Sequence, residues 1–193
     1  MSDQTFQSDR TTDRRDRLGE ILHDGDRVGL RFERRLGHAP ERVWRALTAS
    51  EDLRHWFPAD IVGERRAGAP LRLRFWPESV EQAAAEMEQV GVDPLDPELP
   101  GELLVWDPPR VFELMWDTDR LRWELEPDGA GTRLVFVTWL LGEQGPRGTA
   151  GTAAGYHACL DQLEELLATG TSRTVDRAEI EALERAYAAL GAG

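Results

Sequence analysis

Between residues 102 and 141, four runs suited to strands follow one another with only short breaks: Glu102 to Trp106, Val111 to Trp116, Leu121 to Glu126 and Thr132 to Leu141. The breaks are Asp107-Pro108-Pro109, Asp117-Thr118-Asp119 and Pro127-Asp128-Gly129, all rich in turn residues. Connections this short hold no crossover, so the strands form an antiparallel meander. The run from Arg120 to Glu126 alternates cleanly, with Leu121, Trp123 and Leu125 on one side. One long helix follows, Thr149 to Ala168, with an apolar stripe of Ala153, Tyr156, Leu160, Leu163 and Leu167. A sheet with one apolar face and a helix with one apolar stripe bury those surfaces against each other.

Upstream, Leu18 to His23 and Arg27 to Leu36 flank Asp24-Gly25-Asp26 and read as a hairpin. Pro40 suits a first helical position, and Val43, Trp44 and Leu47 make one face of a short helix. Ser50, Glu51 and Asp52 restart a second, which carries Leu53, Trp56 and Phe57 and stops at Pro58. Two strands follow, Asp60 to Arg65 and Leu71 to Trp76. Ser79 to Val90 reads as a helix inside a long interruption, residues 77 to 100, whose Pro-rich end reads as a return loop. Residues 1 to 17 lack apolar periodicity and read as a disordered lead. After Gly170 a linker leads to Asp176-Arg-Ala-Glu179, a capping-box start for an extra helix carrying Ile180, Leu183, Tyr187 and Leu190. The expected organisation is a lead, a domain over 18–170 with an acidic helical insertion, and a C-terminal extension over 171–193.

Composition narrows the function classes. The chain has 193 residues and a net charge of −13, with arginine as its only strongly basic residue type. Residues 75 to 109 carry nine acids and no Arg, for −9; residues 160 to 193 carry seven acids and three Arg, for −4. The remainder is neutral. No basic patch appears, so nucleic acid and anionic membrane are poor partners. The longest apolar run, Leu134 to Leu141, is too short to span a bilayer, and no apolar signal segment opens the chain. The expected location is the cytoplasm. One cysteine, Cys159, and scattered histidines offer no metal-ligand spacing, so neither a metal nor another cofactor is expected.

The element order predicts an α+β fold, a curved antiparallel sheet wrapped around a long C-terminal helix. It resembles the START-like (SRPBCC, Bet v 1-like) superfamily. Within it, the chain looks like the bacterial family related to the C-terminal domain of the activator of the Hsp90 ATPase. The residues that carry this are Ala39-Pro-Glu-Arg-Val-Trp-Arg-Ala-Leu-Thr48, Leu53-Arg-His-Trp-Phe-Pro58, Val105-Trp-Asp-Pro-Pro-Arg110, Leu121-Arg-Trp-Glu-Leu125 and Ala154-Gly-Tyr-His-Ala-Cys-Leu160. The resemblance implies a cavity between sheet and long helix. No fixed set of catalytic residues is carried over with it.

Trp56, Phe57, Phe75, Trp76, Trp106, Trp116, Trp123, Phe136, Tyr156 and His157 are the expected lining of that cavity, which suits a small hydrophobic or aromatic molecule. The alternative use of the same aromatics is a filled core. His157 and Tyr156 are the only acid–base candidates, expected near the cavity mouth, and no catalysis is assigned to them. Two other functions suit the family: a protein-interaction module resembling a co-chaperone, and an enzyme of the polyketide cyclase or dehydratase kind. Cys159 reads as a packing residue, and Glu164 and Glu165 as a solvated face. Gly151 and Gly155 suggest close approach of the sheet to the helix. Val135, Val137 and Trp139 point away from the inner face, so a homodimer contact or the C-terminal helix is expected to cover them.

Overall fold

The computed structural model describes residues 17–81, 96–140 and 148–191. Its strands are β1 (Glu20–Asp24), β2 (Arg27–Leu36), β3 (Ala59–Gly63), β4 (Ala69–Phe75), β5 (Glu98–Asp107), β6 (Val111–Trp116), β7 (Asp119–Asp128) and β8 (Gly131–Leu140). The helices are α1 (Pro40–Thr48), α2 (Ser50–Leu53), α3 (Gly148–Thr169) and α4 (Arg177–Leu190). All eight strands form one antiparallel sheet in the order β1-β2-β8-β7-β6-β5-β4-β3. Helices α1 and α2 join the two halves of the sheet, and α3 lies across its inner face. This is the predicted α+β helix-grip fold.

The turns are those the sequence indicates. Asp24 pairs with Arg27 around Gly25, at φ 60°, and Asp128 pairs with Gly131 around Gly129, also at φ 60°. Trp116 pairs with Asp119, and Asp117 takes φ 51°, a left-handed conformation that Asp tolerates better than most residues. The Pro-rich return is shorter than expected. Glu98, Leu99 and Pro100 already pair with Arg74, Leu73 and Arg72, so β5 begins inside the segment read as a loop. Helical hydrogen bonding starts at 77–81, with Val80 N–H donating to the Trp76 carbonyl at 3.0 Å. The rest of the expected helix, to Val90, lies outside the described residues, as does the lead over 1–16.

The core is built on cross-strand aromatics. Phe112, Trp123, Phe136 and Phe32 are successive partners across β6, β7, β8 and β2. Their rings stack at centroid distances of 5.0, 5.0 and 6.0 Å, with interplanar angles of 16°, 20° and 21°. Each is essentially buried. Paired positions hold such side chains within contact distance, which is the sheet's unit of stabilisation. Tyr156 of α3 meets the Phe136 ring edge-on at 5.0 Å, joining helix to ladder.

Helix α3 is buried over more than the predicted stripe: Gly151, Ala154, His157, Ala158 and Leu166 are covered too. It is covered on two sides, by the sheet and by α4, which packs against it through Leu183 and Tyr187.

Helix α4 therefore does not cover the outer sheet face, a correction to one of the two expected covers for Val135, Val137 and Trp139. Val135 and part of Trp139 find cover within the sheet itself, and Val137 stays half-buried. The Trp139 indole packs against its cross-strand partner Gly29, where a Cβ would come within 2.9 Å of the ring. The Arg27 guanidinium sits over the same ring, 5.2 Å from its centroid. Val135 is buried between Glu33 and Glu124 in register. Charges flank this strip in alternation. Arg133 joins Glu33 at 2.7 Å and Glu126 at 2.9 Å, and the fully buried Glu113 accepts from both Arg120 and Arg122. Arginine stems cover apolar surface while their heads pair with carboxylates.

Candidate functional site

At one end of the grip, α3, the chain around α2 and the C-terminal segment enclose an open cleft of about 460 Å³. Its floor is aromatic, with Trp56 and Phe57 just past α2 and Trp76 just past β4. Ring packing and indole hydrogen bonds fix these positions. Trp56 Nε1–H donates to the Ala46 carbonyl at 2.8 Å, and Trp76 Nε1–H to the Phe57 carbonyl at 2.8 Å. Both indole N–H groups are thus satisfied, leaving ring surface to face the cleft. Helix α3 supplies Gly155, Ala158, Cys159 and Gln162, one face at i, i+3, i+4 and i+7. A Cβ at Gly155 would meet nothing within 4 Å. Gly155 thus opens the cleft and does not bring the sheet close, contrary to the expectation for that glycine. The third wall is Ser172 to Val175 with Ile180, and the rim carries Arg54, whose guanidinium lies 5.7 Å from the Trp76 ring centroid.

Three of the expected lining residues, Trp56, Phe57 and Trp76, meet in this cleft. Others lie elsewhere. Trp123 and Phe136 belong to the buried ladder. Trp116 and Phe75 pack behind Phe57, with ring centroids 5.2 Å (Phe57 to Trp116) and 5.5 Å (Phe75 to Trp116) apart. Trp106 packs at the α1 end on Trp44, at 4.9 Å, beneath the Arg65 guanidinium. Among the described residues the indole nitrogens of Trp116 and Trp123 are buried without a hydrogen-bond partner. Sequence reading did not find the roles of Gly155, Val175 and Ile180. The available signal was the row of small residues, Gly151, Gly155, Ala158 and Cys159, beside the leucine stripe.

His157 and Tyr156 face different surroundings and do not bond each other. Tyr156 packs on the ladder, and burial pushes its phenol above the usual range, so it stays protonated at neutral pH. Burial likewise pushes the Cys159 thiol up to about 12, far from a reactive thiolate. His157 is buried away from the cleft, in a polar cluster between α3, α4 and the β1–β2 hairpin. Gly19 N–H donates to the Tyr187 hydroxyl at 2.8 Å, and that hydroxyl lies 2.8 Å from His157 Nδ1. All groups are satisfied when Tyr187 O–H donates to Nδ1 and Nε2–H points at Asp161 Oδ2, 3.5 Å away. Asp161 and Glu164 also pair with Arg17, at 3.0 and 2.7 Å, and with the buried Arg34, at 3.7 and 3.0 Å. Glu164 is therefore a half-buried ion-pair member and not part of a solvated face. Among the described residues no group of three or more His, Cys, Asp or Glu is placed to hold a metal. No helix among them is long and apolar enough to cross a membrane.

Known proteins resemble the chain in structure more than in sequence. No curated protein matches it. A conserved protein of unknown function from Enterococcus faecalis superposes with a TM-score of 0.67 at 21% identity, covering 95% of this chain and 92% of its own. CalU16 from Micromonospora echinospora gives 0.61 at 17%, covering 91% and 96%. A Bordetella parapertussis protein solved by NMR gives 0.64 at 28%, covering 89% of each chain. The family model "Activator of Hsp90 ATPase homolog 1-like protein" matches residues 38–168, the span from just before α1 to the end of α3. By that match the chain belongs to the activator of Hsp90 ATPase homologue-like family of the START-like superfamily.

Proposed function

We propose that this protein binds a small hydrophobic or aromatic molecule in the cleft between Trp56, Phe57, Trp76 and α3, and that binding, not chemistry, is its activity. The observation that carries the reading is Gly155. An interior helical glycine costs about 1 kcal/mol relative to alanine, and here it leaves open space on the α3 wall of a cleft that Trp56, Phe57 and Trp76 also line. The cleft volume of about 460 Å³ lies within the range of small-molecule sites. The acid–base candidates support binding over catalysis, since His157 is engaged with Tyr187 outside the cleft.

Gly155→Leu tests this. The leucine favours the helix and fills the cleft, so the variant is expected to unfold no earlier than the parent and to lose binding. Trp56 and Trp76 serve as reporters. Naphthol should quench tryptophan emission saturably in the parent and not in Gly155→Leu. Native mass spectrometry of the protein as purified from cells should show a bound small molecule in the parent alone. Equal, saturable quenching of both proteins would place binding elsewhere and refute the reading.

A further inference from the structure

We propose that the C-terminal segment 172–180 is a working wall of this cleft and sets the size of ligand admitted, with Tyr187 as the positioning residue that holds it. The inference rests on the cleft being the ligand site. The matched family span ends at Ala168, before this segment begins. Yet Ser172 to Val175 and Ile180 close one side of the cleft. Val175 and Ile180 are its apolar members, half-buried against the core, and they lie beside Trp76 and the nearly buried Trp56 and Phe57, while Arg54, His55, Glu78, Gln162 and Arg173 supply a polar part of the lining.

The wall is fastened at both ends. Ser172 Oγ donates to the carbonyl of His55, tying the segment to the opposite wall. Gln162 Nε2 donates to the Arg173 carbonyl at 2.9 Å, and Arg173 N–H donates to Glu165 at 3.0 Å, which tie it to α3. Asp176 and Glu179 cap α4 reciprocally and fix where the helix starts, and so where Ile180 points. Farther along, the Tyr187 hydroxyl pins α4 between Gly19 and His157. These contacts hold a short polar linker in one place, as a selective wall requires. A wall of movable side chains would accept a larger ring system by giving way.

The test titrates the full-length protein and its variants with naphthol and with the larger hydroxypyrene by calorimetry, beside thermal unfolding. Ile180→Trp narrows the cleft and should weaken hydroxypyrene at least about tenfold more than naphthol. Ile180→Ala should shift the ratio of the two affinities the other way. Tyr187→Phe keeps the ring but frees the wall, so that ratio should move toward one. A merely structural role for Tyr187 would lower the unfolding temperature and leave the ratio alone. If Ile180→Trp does not fold, Val175→Trp takes its place. The inference is overturned if Gly155→Leu abolishes binding of both probes while the Ile180 and Tyr187 variants keep the parent's ratio. If the parent binds neither probe, or Gly155→Leu binds both as the parent does, the ligand reading itself fails and this inference falls with it.

Discussion

Glu33 sits on the outer sheet face between Arg133 and Arg31, at 2.7 Å from each. Their guanidinium hydrogen bonds hold its carboxyl well below the ordinary range, at about 2. In the unfolded chain the group titrates near its usual 4.5. A carboxylate with a depressed folded pKa contributes stability that is present above the unfolded value and is lost as pH falls toward the folded one. Glu33→Gln should therefore lower the unfolding temperature at pH 7. The gap to the parent should narrow as pH falls below about 4.5 and close near 2. A gap that stays constant over that window would show that the pairing energy does not depend on the carboxylate charge. Tyr187 poses a buried version of the same question. Removing its hydroxyl leaves Gly19 N–H and His157 Nδ1 without their partner, so Tyr187→Phe should cost about 1–3 kcal/mol in chemical denaturation. A cost near zero would mean that water replaces the hydroxyl.

Among elements, the aromatic ladder ties β6, β7, β8 and β2 together through the core. Trp123 is stacked on both faces, by Phe112 and Phe136, and is 2% exposed. Trp123→Ala should cost about 3–5 kcal/mol, read from denaturant unfolding. Trp123→Phe should cost much less, because the stack survives and the unpartnered indole N–H is removed. The ladder's strands are legible in the sequence because a half-buried strand alternates and its turns carry Asp, Gly and Pro. The start of β5 is not, because Pro97 and Pro100 bracket Glu98 and Leu99 and mask their pairing with β4. The candidate site was legible only in part, for a related reason. Trp56 and Trp76 could be named as inward aromatics, but period-2 and period-3.6 patterns do not tell a ring that fills the core from one that faces a cleft. His157 looked like a cleft residue because its partner, Tyr187, lies thirty positions away on a helix packed from the other side.

Across the whole molecule, the two ends of the described chain meet on α3. Arg17 pairs with Asp161 and Glu164, and Gly19 N–H reaches the Tyr187 hydroxyl. Gly19 can do so because it lies against Phe32, where a Cβ would come within 2.6 Å of the ring. β1 is an edge strand paired in the sheet with β2 alone, and α4 follows a polar linker and packs chiefly on α3, so each end leans on one main neighbour. Parts with little buried surface open before the core does, and parts that share their fastenings open together. The expectation is one cooperative unit, made of residues 17–24 and α4, with an opening free energy below that of β6 to β8. Native-state hydrogen exchange checks it. The Gly19 amide and the amides of α4 should exchange with one common opening free energy. In Tyr187→Phe both should lose protection together, by about 1–3 kcal/mol, while the amides of β6 to β8 stay as they were. If α4 loses protection and the Gly19 region does not, the ends are fastened separately, and the ion pairs of Arg17 with Asp161 and Glu164 must hold the first of them without Tyr187.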